Sequence, residues 1–192
     1  MERAGRPLTI ERLCASPSLC GPAPNGLKLA PDGKTVSYLK GRSTNKDFKD
    51  LWAMDVTTQA HSVLVDADWL SIDPLSDEEK SRRERLRVGD ASGIMDYDWS
   101  ADSCQILIPA GAKIYMYTLS AGGSAGLREL SIPGGSACTD VRFSPQSSYV
   151  SFVRDQNVFV YDVGRATLSA LTHDGGGVIK NGMAEFVAQA RP

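Results

Sequence analysis

Cysteine and histidine are scarce in this chain of 192 residues, and those present are scattered. Cys14, Cys20, Cys104 and Cys138 are separated by 6, 84 and 34 positions without a Cys-x-x-Cys pair, and His61 and His173 stand alone. No structural zinc site is expected from that pattern, and the cysteines are expected to be free thiols, with Cys104 and Cys138 packed in strands. Nowhere do about 18 apolar residues run together. Residues 1–22 also lack the apolar centre of a signal peptide, so the chain as written is expected to have no membrane span or export signal and to stay in the cytoplasm. Charge of one sign is scarce too: a net charge of −2 gives no basic footprint for nucleic acid or an anionic membrane, and neither partner is expected. No cofactor or metal is expected.

What the sequence does have is a repeat. Asp96-Tyr97-Asp98-Trp99-Ser100 leads to an apolar run at Ile106-Leu107-Ile108 and another at Ile114 to Leu119. A shift of 44 brings Trp99 onto Phe143, Ser100 onto Ser144 and Tyr117 onto Tyr161 without a gap. An earlier copy carries the turn Pro31-Asp32-Gly33 and the strand Leu51 to Val56, with seven extra residues over Arg42 to Phe48, a polar hairpin expected to be solvated. Met183 to Ala188 then begins the pattern again, with Phe186 lying 43 after Phe143.

Repeats of about 40 to 50 residues made of short strands and Pro-Asp-Gly-type turns mark β-propeller blades, because one four-stranded sheet cannot bury both faces and copies must stack. The expected fold is therefore all-β, a partial β-propeller of about three four-stranded blades plus the first strand of a fourth. Residues 1–24 read as an irregular lead-in, and residues 25–192 as an incomplete propeller domain with blades at 25–66, 94–132 and 138–173 and a partial one at 182–189. A helical arm over 74–88 is inserted between blades one and two. Ser76-Asp77-Glu78-Glu79 forms a capping box ahead of Lys80 to Arg87, acids fill the first turn and bases the last, and Leu86 is its one large apolar residue.

Two stretches invite a catalytic reading and resist it. Gly122-Gly123-Ser124-Ala125-Gly126 has the Gly-x-Ser-x-Gly pattern of a nucleophile elbow. An elbow needs a helix after the serine, whereas Leu127 to Ile132 reads as a strand, so Ser124 is expected in a flexible hairpin. His173-Asp174 precedes three glycines and reads as turn chemistry, since adjacent residues cannot orient one another as a base and its partner do. Glu185, between Ala184 and Phe186, reads as one face of a half-exposed strand.

Leu8-Thr9-Ile10-Glu11, the Leu27 to Gly33 turn, the arm from Asp77 to Arg87 and, above all, Gly182-Met183-Ala184-Glu185-Phe186-Val187-Ala188-Gln189 resemble the N-terminal propeller region of bacterial dipeptidyl peptidase IV. The Pro-Asp-Gly blades alone also fit a TolB-like or other WD40-like propeller that binds proteins. The resemblance implies a propeller covering a Ser-Asp-His hydrolase that releases X-Pro or X-Ala dipeptides from peptide N-termini, in a family typically periplasmic. It further implies an arm arginine near the substrate's carbonyl groups, here Arg87 or, failing that, Arg85. In the family two glutamates that grip the substrate ammonium follow the Ala-Glu-Phe-Val-Ala-Gln strand; here Ala190 and Arg191 stand there. With no triad and no double glutamate, the chain is expected to be a catalytically inactive fragment of a serine-type peptidase, with self-association through exposed blade edges as an alternative role.

Overall fold

The computed structural model describes residues 8–14, 23–71 and 92–183. The expected arm at 74–88, Glu185, Arg85, Arg87, Cys20 and all but the first two residues of the partial blade at 182–189 lie outside the described residues.

Three antiparallel sheets follow one another along the chain. The first is ordered β1 (Asn25–Leu29), β2 (Thr35–Gly41), β3 (Phe48–Asp55), β4 (His61–Val65), with a short fifth strand, β5 (Ser92–Gly93), running parallel to β3. The second is β6 (Asp98–Trp99), β7 (Gln105–Ala110), β8 (Lys113–Thr118), β9 (Leu127–Glu129). The third is β10 (Thr139–Phe143), β11 (Tyr149–Arg154), β12 (Asn157–Asp162), β13 (Thr167–Ala170). Three meandering four-stranded units are the blades of a partial β-propeller.

The offset of 44 holds at the level of strand register. Trp99 pairs with Ile106 as Phe143 pairs with Val150, and Ile106 pairs with Tyr117 as Val150 pairs with Tyr161. The first sheet joins the same scheme, since Lys28 opposite Ser37 corresponds to Asp98 opposite Leu107 and Arg142 opposite Ser151. The bulge between Asn25 and Lys28 recurs between Thr139 and Arg142, and its corresponding residues, Gly26 and Asp140, both adopt positive φ.

Alternation along the strands sends side chains to both faces, and both faces of the second sheet find a neighbouring sheet. Ile106, Ile108, Tyr115 and Tyr117 of the second sheet pack with Leu39, Leu51 and Val65 of the first in one buried cluster. From the opposite face Leu107, Ile114 and Met116 pack with Val141, Val150, Phe152 and Tyr161 of the third. Burial of such side chains at about 1.5–3 kcal/mol each is what holds the stack together.

Local chemistry sets the turns. The Asp55 carboxylate accepts from the backbone N–H groups of Thr57 and Thr58 at 2.9 and 2.7 Å, which, led by the Thr58 bond, lowers its pKa and closes the β3–β4 connection. Ahead of β7 the Asp102 carboxylate accepts from the Ser100 hydroxyl at 2.6 Å and from Cys104 N–H at 3.0 Å. Cys104 therefore sits exposed in that turn, not packed in a strand as the sequence implied. Cys138 is buried as expected, although one position ahead of β10. In the stretch read as irregular, Ile10–Cys14 form a single helical turn, with Thr9 Oγ1 accepting from Arg12 N at 3.2 Å.

The hairpin insertion is exposed over residues 43–47, as expected, and departs from expectation at Arg42. Arg42 is held down, not solvated: its Nε and Nη2 donate to both Asp50 oxygens at 2.8 Å, and it reaches Asp66 and Asp68 at 2.5 and 2.7 Å. Its guanidinium also stacks 4.4 Å from the Phe48 ring. Asp50 is buried, so a polar insertion was needed here to supply its counter-charge.

Candidate functional site

The strands β1, β6 and β10 open their sheets and lie side by side, so one register position recurs across all three: Lys28, Asp98, Arg142. The charges alternate, and they meet. Asp98 Oδ1 lies 4.0 Å from Lys28 Nζ and 3.8 Å from Arg142 Nη1, while its Oδ2 accepts from Phe143 N at 3.1 Å. Asp96 adds a second acid 3.5 Å from Lys28, and Asp140 lies 3.1 Å from Arg142 Nε. All five side chains are partly accessible, so this seam offers both donors and acceptors for peptide groups.

Beneath the seam is a buried polar hub. Ser37 Oγ, fully buried in β2, accepts from Trp99 Nε1 at 2.8 Å and lies 2.9 Å from the Tyr97 hydroxyl, which donates to Gly26 O at 2.6 Å. Lys28 donates from above to Tyr97 O, its ammonium 4.6 Å from the Tyr97 ring centre. Burial pushes the Tyr97 phenol up to about 12, with Asp96 adding to it, so Tyr97 stays neutral and serves as a fixed hydrogen-bond relay. The hub locks the first sheet to the second and holds Lys28 against Asp96 and Asp98.

Neither stretch with a catalytic look assembles a reactive site. Ser124 opens a single 3-10 turn, Ser124–Gly126, that runs straight into β9, so the helix of a nucleophile elbow is absent. Its hydroxyl is exposed, and among the described residues no hydrogen bond joins it to a histidine or carboxylate. His61 is engaged elsewhere, 2.8 Å from the Tyr38 hydroxyl. Asp174 binds Asn181 Nδ2 at 2.8 Å as part of a loop that Asn157 organises through Thr172, Gly175 and Asn181. Among the described residues no His, Cys, Asp and Glu side chains gather as a metal site.

No single copy of the repeat, taken alone, marks the residues of the seam or the hub as functional. Shifting by 44 does set Asp98 on Arg142, a signal that needs only the charges at repeat positions to be compared.

Residues 100–190 match the dipeptidyl peptidase IV (DPP IV) N-terminal region. The DPP IV match spans a little under half the chain and takes in the second and third sheets from β7 onward. Among solved structures, the chain is similar to the dipeptidyl peptidase 4 of Porphyromonas gingivalis, with a TM-score of 0.51 at 20% identity over 78% of this chain and 19% of that one. It is equally similar to TolB from Acinetobacter baumannii, with a TM-score of 0.51 at 17% identity over 80% of this chain and 33% of that one. The chain thus spans a fifth to a third of the length of these relatives, and at such identity they show a shared propeller fold. The match to the DPP IV N-terminal region is what separates the peptidase reading from the TolB-like one.

Proposed function

We propose that this chain forms part of the substrate-side propeller wall of a DPP IV-type serine peptidase and performs no catalysis itself. The observation that supports this reading is the family match over residues 100–190, which covers the Asp102 turn and both Arg142 and Asp140 of the inner seam. In this reading the seam faces peptides on their way to a hydrolase carried elsewhere. Its alternating charges can pair with backbone carbonyl groups and amides, and Arg87 or Arg85, outside the described residues, contacts the substrate's carbonyl groups. With Ala190 and Arg191 where the family's ammonium-binding glutamates stand, the chain does not by itself prefer free N-termini.

A photoreactive Gly-Pro peptide tests the reading. Crosslinks are expected on the inner strands around Asp98 and Arg142, in equal yield with the free and the acetylated peptide, and no Gly-Pro chromogenic substrate is expected to be cleaved. Crosslinks confined to the outer strands would refute it. The equal similarity to TolB supports a second reading, a protein-binding propeller, which predicts no peptide crosslinks at all.

A further inference from the structure

An arginine that the blade design does not require lies against the connection from β9 to β10. Arg154 ends β11, three positions past Ser151, which pairs with Arg142; the same place in the second sheet, three past the Leu107 that pairs with Asp98, is Ala110. The Arg154 side chain is only 10% exposed. It is held from two sides: Nη1 donates to Pro133 O at 2.6 Å, and the guanidinium carbon lies 4.7 Å from the Phe159 ring centre. Among the described residues that is its one hydrogen bond, so the edge formed by Nε and Nη2 has donors to spare. The Asp155 carboxylate is 65% exposed, and its Oδ2 stands 4.0 Å from Nε, outside hydrogen-bond range. Against this arginine runs Pro133-Gly134-Gly135-Ser136-Ala137. Gly134 comes so near that a Cβ on it would lie 2.6 Å from Arg154 Nη1, whereas nothing stands within 4 Å of the same position on Gly135. The N–H groups of Gly134, Gly135, Ser136 and Ala137 meet no acceptor among the described residues.

We propose that this loop and Arg154 form a binding site for a phosphate group. The Nε–Nη2 edge of a guanidinium offers two parallel N–H bonds to an oxyanion, and successive backbone N–H groups in a turn favour the same charge. Phosphate suits the site better than carboxylate does. The spare donors outnumber what the two oxygens of a carboxylate take in one plane, and the Asp155 carboxylate stands beside the guanidinium edge without bonding to it. The room beside Gly135 admits the anion, and the exposed Asp155 side chain is free to swing clear. Sinking the guanidinium into the protein strengthens its pull on an anion, because the local dielectric is lower than that of water. No residue of the seam takes part, so the site stands apart from the peptide reading.

Titration of the full chain with inorganic phosphate at constant ionic strength, followed by nuclear magnetic resonance of its N–H groups, tests the site. Saturable shifts are expected at the amides of Gly134 to Ala137 and at Arg154 Nε, with a dissociation constant on the order of 1 mM. Phenyl phosphate in a parallel titration separates two sources of the group: equal affinity marks a site for the free anion, and tighter binding of the ester marks one for a phosphomonoester. Arg154→Lys keeps the charge but loses the two-pronged edge, and is expected to weaken binding about tenfold. Asp155→Asn removes the competing charge at an exposed position whose φ of 48° asparagine tolerates. That variant is expected to bind about threefold more tightly with unchanged circular dichroism. No saturable shift with either phosphate, shifts centred on Lys28 and Arg142, an Arg154→Lys variant that binds like the parent, or an Asp155→Asn variant that binds no tighter would each overturn the proposal.

Discussion

Ser37→Ala is the sharpest probe of how the first two sheets are joined. Ser37 Oγ is the acceptor of the Trp99 indole N–H, at 2.8 Å, and both residues are buried. Removing the hydroxyl leaves that N–H without a partner in the sheet interface, whereas Tyr97 keeps its bond to Gly26 O. A buried donor left unsatisfied costs about 1–3 kcal/mol, so roughly 2 kcal/mol of stability is expected to go. For a chain of this length that corresponds to a fall in Tm of about 4–8 °C. The cost belongs to the stranded indole more than to the lost serine, and a double-mutant cycle separates the two. In a Trp99→Phe background no N–H remains to be stranded, so Ser37→Ala is expected to cost about 0.5 kcal/mol or less, a coupling of about 1.5 kcal/mol. Urea unfolding of the four proteins gives the cycle directly. Additive effects, within about 0.3–0.5 kcal/mol, would show that the hub does not join the sheets.

Arg42→Met leaves the buried Asp50 carboxylate with the Ala67 N–H alone; breaking a buried pair costs about 3–5 kcal/mol. Because the guanidinium is partly exposed, about 2 kcal/mol is expected by urea unfolding, and Asp50→Asn in the same background is expected to recover part of it. Tyr97 is protonated more tightly folded than unfolded, its phenol standing at about 12 against an ordinary 10.0, so its contribution is complete below pH 10 and is lost as pH rises toward 12. Stability is expected to fall across that window in the parent and less steeply in Tyr97→Phe, with one tyrosine ionising late by ultraviolet absorbance. Burial pushes the Cys138 thiol up to about 11, whereas Cys14 and Cys104 are exposed. Aromatic disulfide reagents at neutral pH are expected to modify Cys14 and Cys104 in the native protein and Cys138 only on unfolding, as read by peptide mapping.

The repeat was legible because it is local: alternating apolar residues and Asp or Pro turns recur at a fixed spacing, and strand register follows that spacing to the residue. Contacts between remote segments left no such trace. β5 pairs with β3 through Ser92 opposite Phe48 and Gly93 opposite Lys49, and nothing in the Ser-Gly dipeptide announces it. Gly93 is required there: its φ is +78°, and a Cβ would come within 2.4 Å of Lys49 O. Arg42 was similarly opaque, since a polar residue in a polar loop gives no hint of a buried carboxylate eight positions on. The arm arginines singled out as substrate contacts lie outside the described residues, while the seam that the strands do assemble uses residues whose meaning appears only when the copies are set side by side.

The copies differ where one blade has to recognise another. The turn that follows each opening strand places one residue in the left-handed region: Gly33, Ser103 and Ser147, at φ of 72°, 61° and 56°. Glycine is the unstrained choice, so serine at the second and third turns needs a compensating contact. Both serines have one. Ser103 Oγ accepts from Asp32 N, and Ser147 Oγ accepts from Ala101 N, each at 2.9 Å and each reaching the turn of the sheet before. Gly33 has no preceding sheet within the described chain and carries no hydroxyl. Backbone strain of about 1 kcal/mol is thus offset by a bond of similar worth that exists only when the sheets are stacked. What looks like drift between repeats records the neighbour each blade must hold.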